Sequence, residues 1–210
     1  MFMTMKSYKR SPLALAVLAL LVEVPMHPYR MQQLLKSRGK EDVINIRQRG
    51  SLYQTIERLE REELIAPETV ERGEGRPERT IYTVTPVGRK VAIEWLRDMI
   101  AEPQNEFPEF PVALSFLALL TAEEAIPLLE ARLALLKGRE IKLKADLETY
   151  LPVLPRLLLL ENEFMLAGVR AERGWVEGIV ADLRSGALRW NVDELKAISA
   201  RLEGTPPKPG

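Results

Sequence analysis

The chain contains no cysteine and a single histidine among its 210 residues. Disulfides, thiolate zinc sites, iron–sulfur clusters and cysteine nucleophiles are therefore excluded. A serine triad would have to be built on His27 alone. Net charge is lacking too, since 30 Lys and Arg balance 30 Asp and Glu. No phosphate-binding or dinucleotide glycine pattern is present, and the acids Glu161 and Glu163 point to different sides of a helix. No enzyme, metal or cofactor is expected. Long hydrophobic runs are also missing. The apolar stretch Pro12–Val22 follows Lys6, Lys9 and Arg10 as in a signal peptide, but no small-residue cleavage site follows it. It is far short of the ~20 residues a spanning helix needs. It reads as a buried helix, and the chain as cytoplasmic with no membrane partner.

What is there is an ordinary globular composition, 46% apolar and 29% charged, enough for one large or two modest domains. The charge is uneven. Residues 1–58 carry ten Lys and Arg against four acids, whereas residues 103–210 carry 13 against 16. A basic first quarter is either a patch for an anionic partner or a solvated face, and what it sits on decides which.

The pattern predicts a first helix over Pro12–Glu23, with Ser11 as N-cap and Pro12 at its first position. A second helix is expected from about Tyr29 to Arg38, ended by Gly39. Val43–Ile46 reads as a short loop or strand. A third helix, about Gln48 to Glu63, carries Leu52, Ile56 and Leu59 on one face. Then the period changes. Ile65–Glu71 and Arg79–Thr85 read as strands of a hairpin, around a charged turn at Arg72–Pro77. Thr85-Pro86 caps a fourth helix to about Ala101, striped by Val91, Trp95 and Met99. Three helices and a hairpin make a winged helix-turn-helix, whose third helix enters a major groove.

Beyond a proline-rich hinge everything reads as helical. A short apolar helix covers Val112–Leu120. Thr121-Ala122-Glu123-Glu124 is a capping box. It opens a long helix to about Leu151 with a coiled-coil-like seam of Ile126, Leu129, Leu133, Leu136, Leu143, Leu147 and Tyr150, interrupted by Glu140. A further helix, about Pro155 to Ser185, is expected to carry Phe164, Gly168, Ala171, Trp175, Ile179 and Leu183 along one side. Asn191–Glu194 opens a last short helix. The fold class is mainly α. The domains are 1–102 for the winged helix, 103–111 for the hinge, 112–204 for a helical dimerisation and effector domain, and 205–210 for a loose tail.

Four stretches carry a family resemblance: Leu18–Leu21 leading into Pro25-Met26-His27-x-Tyr29; Gly50-Ser51-Leu52-Tyr53; Leu59-Glu60 with Leu64-Ile65; and Gly75-Arg76-Pro77 followed by Tyr82-x-Val84-Thr85-Pro86-x-Gly88. In this order they resemble the PadR-like transcriptional regulators over roughly residues 12–100. The chain departs from the family pattern at Pro28 and Glu63, each in place of a glycine. Gln54 replaces a proline, and Glu78 replaces a basic wing residue. The resemblance implies a dimeric DNA-binding repressor. Its partners would be a pseudo-palindromic double-stranded operator, a second copy of the chain and a small-molecule effector of unknown identity.

Arg47, Arg49, Gly50, Ser51, Tyr53 and Gln54 cluster at the start of the third helix. Free backbone N–H groups and the helix dipole favour phosphate there, and Arg and Gln can pair with base edges. Arg58, four residues after Gln54, is expected to share its face. Arg76 and Arg79 are the wing candidates. Lys6, Lys9 and Arg10 are either an arm on the DNA backbone or an untidy terminus. Val91, Trp95 and Met99, with Leu136, Leu143 and Leu147, are the expected dimerisation residues. The rival reading is a winged-helix protein-interaction module that binds no DNA.

Overall fold

The structure, a computed structural model, describes residues 8–45, 49–71, 79–191, 198 and 201. Two compact units make up the chain, residues 1–105 and 106–210.

In the first unit, α1 spans Pro12–Glu23, as its cap predicts. The Ser11 hydroxyl accepts from the Ala14 N–H at 3.2 Å, and Pro12 fills the first position, where no N–H is needed. Ala14, Val17, Leu18, Leu20 and Leu21 are all buried, so α1 is the centre of the unit. Next, α2 spans Pro28–Ser37, capped by His27, whose Nδ1 accepts from the Tyr29 N–H at 3.1 Å. A 3-10 turn at Lys40–Asp42 follows left-handed Gly39, so the expected loop or strand starts as a turn. Then α3 spans Arg49–Arg61 and sends Leu52, Ile56 and Leu59 into the core.

The exit from α3 is a Schellman turn. Leu64 N–H donates to Leu59 O and Glu63 N–H to Glu60 O, each at 2.9 Å. This geometry needs a left-handed residue, and Glu63 supplies it at φ 61°. A side chain there costs roughly 1–2 kcal/mol. Replacing exposed Glu63 by glycine should raise stability by about 1 kcal/mol in denaturant unfolding of the full chain. A loss would show that the glutamate makes a compensating contact.

Strands β1 (Ile65–Glu71) and β2 (Arg79–Val84) pair antiparallel, with a bulge between Pro67 and Thr69. Pro67 has no N–H to offer its partner Tyr82. Tyr82 turns instead to Met26, exchanging N–H to O bonds of 3.0 and 3.1 Å. Helix α4 (Pro86–Ala101) is capped by the Thr85 hydroxyl, which accepts from Gly88 N–H at 2.9 Å. It packs on α1 through Val91, Ala92 and Trp95.

In the second unit, α5 (Glu109–Ser115) starts at Glu109 rather than Val112 and is followed by a 3-10 turn at Leu117–Leu119. Helix α6 (Ala122–Tyr150) opens with the predicted capping box, both bonds present. After a 3-10 turn at Arg156–Leu159, α7 spans Leu160–Ser185 and ends at left-handed Gly186. The two long helices form an antiparallel hairpin. The α6 seam is as predicted over Leu129, Leu133, Leu136, Leu143 and Leu147.

Of the expected α7 face only Leu183 is fully buried, with Ile179 packed at its edge. Leu166, Val169, Val176, Val180 and Leu183 are buried, while Phe164 is 81% exposed and Trp175 47% exposed. The vacant step in that series is Arg173, and it meets the vacant step of the other seam. Arg173 Nε lies 3.0 Å from Glu140, which also binds Lys144 at 2.7 Å and Arg170 at 3.1 Å. Hydrogen bonds from Lys144 and Arg170 hold the Glu140 carboxyl below the usual carboxylate range. At the start of the hairpin Phe110 meets Trp175 edge-on at 6.1 Å, and the Arg132 guanidinium lies 3.5 Å above the Phe110 ring. Most of the last expected helix lies outside the described residues, but Ile198 and Arg201 within it are helical.

Candidate nucleic-acid interface

Sinking Leu52, Ile56 and Leu59 into the core decides what α3 shows to solvent. Gly50, Gln54, Glu57 and Arg61 fall at intervals of four, three and four on the opposite side, and all are exposed. Tyr53 flanks them, 46% exposed. Ser51 is half-buried, and its carbonyl accepts from the Thr55 hydroxyl at 2.7 Å. Arg49 is the first residue of the helix. The N–H groups of this first turn have no partner within the helix. Arg47 and Arg76 lie outside the described residues. For Arg49 and Arg79 the backbone alone is described, Arg79 opening β2.

Arg58 is the residue the sequence misplaces. Its guanidinium turns off the polar stripe and donates to the Lys9 carbonyl at 2.7 Å, with Glu62 at 3.9 Å. Its place as the outward cation is taken by Arg61. The signal was available, because Arg61 is seven residues, two full turns, beyond Gln54.

Two further contacts brace the site. The Tyr82 hydroxyl donates to Glu60 at 3.2 Å, tying the base of the hairpin to α3. Burial, and then the nearby Glu60 carboxylate, push its pKa up, so it stays a donor across the physiological range. Arg38 makes two bonds to Glu23, 2.7 and 2.8 Å, joining the end of α2 to the end of α1. That pairing lowers the Glu23 pKa and raises that of Arg38. Part of the basic surplus is thus spent inside the fold, with Arg10 on Asp98 at 3.7 Å. Lys9, Arg30 and Lys36 stay exposed.

The expected dimerisation residues are placed inside one chain. Val91 and Trp95 are 5% and 6% exposed in the core of the first unit, and Leu136, Leu143 and Leu147 lie in the seam with α7. Met99 is half-buried. Buried side chains offer no surface to a second copy. The exposed apolar residues of α4 are Ile93, Leu96 and Ile100, and those of α6 include Leu128 and Leu135. Among the described residues no cluster of side chains could hold a metal ion, and no helix is long and apolar enough to cross a membrane.

This arrangement has solved counterparts. PadR of Bacillus subtilis in complex with operator DNA is similar at 22% identity and a TM-score of 0.65, over 82% of this chain and 99% of that one. The same protein in complex with p-coumaric acid gives 21% and 0.65, over 82% and 98%. The smu.1604c protein of Streptococcus mutans gives 20% and 0.59, over 82% and 99%. No curated protein matches the sequence. The model of the transcriptional regulator PadR-like family matches residues 17–94, which run from α1 through the hairpin into α4. The winged helix-turn-helix of the first unit is thus the part of the chain that matches the PadR-like family of transcriptional regulators.

Proposed function

We propose that the chain is a sequence-specific DNA-binding transcriptional regulator, acting in the cytoplasm as a dimeric repressor. The observation that carries this is the polar stripe Gly50–Gln54–Glu57–Arg61, on the helix of a helix-turn-helix that enters the major groove. Arg47, Arg49, Gly50 and Ser51 at its mouth suit phosphates. Gln54 suits a base edge, adenine best of all. By sequence, Arg76 and Arg79 are the two cations available to a wing.

Dimerisation is supported by exposed apolar side chains that a lone soluble chain rarely tolerates in clusters. Ile93, Leu96 and Ile100 on α4, with Leu128 and Leu135 on α6, replace the residues now found inside the chain. A small-molecule effector is supported by the relative solved with p-coumaric acid. It would act by favouring a half-site spacing that the operator does not match.

Binding of the full chain to a random duplex should weaken steeply with salt, by roughly a thousandfold or more between 50 and 200 mM if six or more phosphates are contacted. Gln54→Ala should cost roughly 1–3 kcal/mol on the operator and nearly spare random DNA. Arg49→Ala should weaken both alike. No binding to any duplex would favour a protein-interaction module instead.

A further inference from the structure

The contact that removes Arg58 from the polar stripe creates something else. Residues 8–11, just ahead of α1, lie outside any helix or strand, yet they are held at three points. Tyr8 packs on the core of the first unit. Arg58 donates to the Lys9 carbonyl at 2.7 Å, and Arg10 pairs with Asp98 of α4 at 3.7 Å. Between these anchors the Lys9 side chain itself is exposed. Arg58 sits only about 40° around α3 from Gln54, so the segment it grips runs beside the face that carries Gln54 and Arg61.

We infer that residues 8–11 are a basic arm fixed alongside α3 by Arg58, and that Lys9 on this arm binds a backbone phosphate next to the groove that α3 occupies. The inference rests on the DNA-binding reading above. Lysine suits the task, as a compact point charge that needs no defined acceptor geometry. A backbone carbonyl is a poor use for a surface guanidinium unless the segment carrying that carbonyl is worth holding still. With the arm ordered in the free protein, Lys9 meets phosphate without the ordering cost that a loose end would incur on binding. Arg58 is then a positioning residue, acting through Lys9.

The test uses the full chain and a labelled random-sequence duplex, titrated over a salt series. Lys9→Ala leaves the carbonyl that Arg58 grips. It should keep the unfolding midpoint, lower affinity equally for any sequence and reduce the salt slope by about one unit. Arg58→Ala should free the arm, seen as faster hydrogen exchange at residues 8–11, and lose a comparable share of the slope. The double variant should lose no more than Arg58→Ala alone, because both act through one contact. An unchanged slope in Lys9→Ala, beside salt-dependent binding by the parent chain, overturns the arm and leaves the DNA reading intact. Fully additive losses would place Arg58 on the DNA itself and overturn its positioning role. A parent chain that binds no duplex overturns both readings.

Discussion

Replacing Gly88 by alanine is expected to remove about 3 kcal/mol or more from the stability of the winged-helix unit. A Cβ at this position would sit 1.9 Å from the Leu64 carbonyl oxygen and 2.8 Å from its carbon, both backbone atoms. No side chain can swing away to make room. The same carbonyl accepts the Thr85 N–H at 3.0 Å and the Thr85 hydroxyl at 3.1 Å. Moving it would therefore strain the start of β1 and the cap of α4 together. Thermal unfolding of the full chain by circular dichroism should show an early transition that the parent lacks. Gly138 is the control, a mid-helix glycine of α6 with nothing within 4 Å of its absent Cβ. Gly138→Ala should stabilise by roughly 0.5–1 kcal/mol. Equal small effects at the two glycines would mean that the α4 start and Leu64 are free to part.

The second large effect concerns Trp95. Lying in the core against α1, it should cost about 3–5 kcal/mol when cut to alanine, through lost burial and the cavity left behind. That is a large share of the 5–15 kcal/mol typical of a domain. The loss should not depend on protein concentration, because the contacts removed lie within one chain. A tryptophan at a subunit interface would behave otherwise, with a midpoint that rises with concentration. Ile100, 78% exposed on the same helix, supplies the contrast. Ile100→Ser should leave the single chain within about 0.5 kcal/mol while lowering the mass seen by light scattering. A concentration-dependent deficit in Trp95→Ala would return that residue to the interface.

The fold was most legible where a single side chain ends an element. Ser11 with Pro12, Thr85 with Pro86, and the Thr121–Glu124 box each mark a helix start that the structure repeats, because a cap is a local bond between near neighbours. Glu63 stood out only against the family resemblance, as a side chain in place of a glycine, and its left-handed backbone bears out that contrast. The face of α7 was legible only in part. Its large aromatics Phe164 and Trp175 suggested one stripe, but valines fill the narrow space beside α6, and the true stripe is disguised by Arg173. Recognising it requires knowing that Glu140 waits opposite. In the candidate interface the core stripe of α3 made Gln54 readable as an outward residue. Arg58 was unreadable, since its partner is a carbonyl 49 positions earlier in the chain, and no period or motif reports such a bond. Val91 and Trp95 were readable as a packing stripe, but not which surface the stripe meets, because apolar spacing alone does not tell α1 from a second chain.

The meeting of Glu140 with Arg173 also bears on how such a hairpin can change over generations. Leucine and valine seams tolerate exchange one residue at a time, since a neighbour of similar volume takes up the slack. A carboxylate closed in by Arg170, Arg173 and Lys144 has no such freedom. Losing the acid takes from Arg170, Arg173 and Lys144 the one carboxylate they share, and losing Arg173 takes from Glu140 the cation facing it across the seam, so each single step breaks a contact that neither end state lacks. The two sites are therefore bound to drift together or stay as they are. Sliding α7 one turn along α6 would part them in the same way, so the pair also singles out one alignment among the several that an all-aliphatic seam would allow.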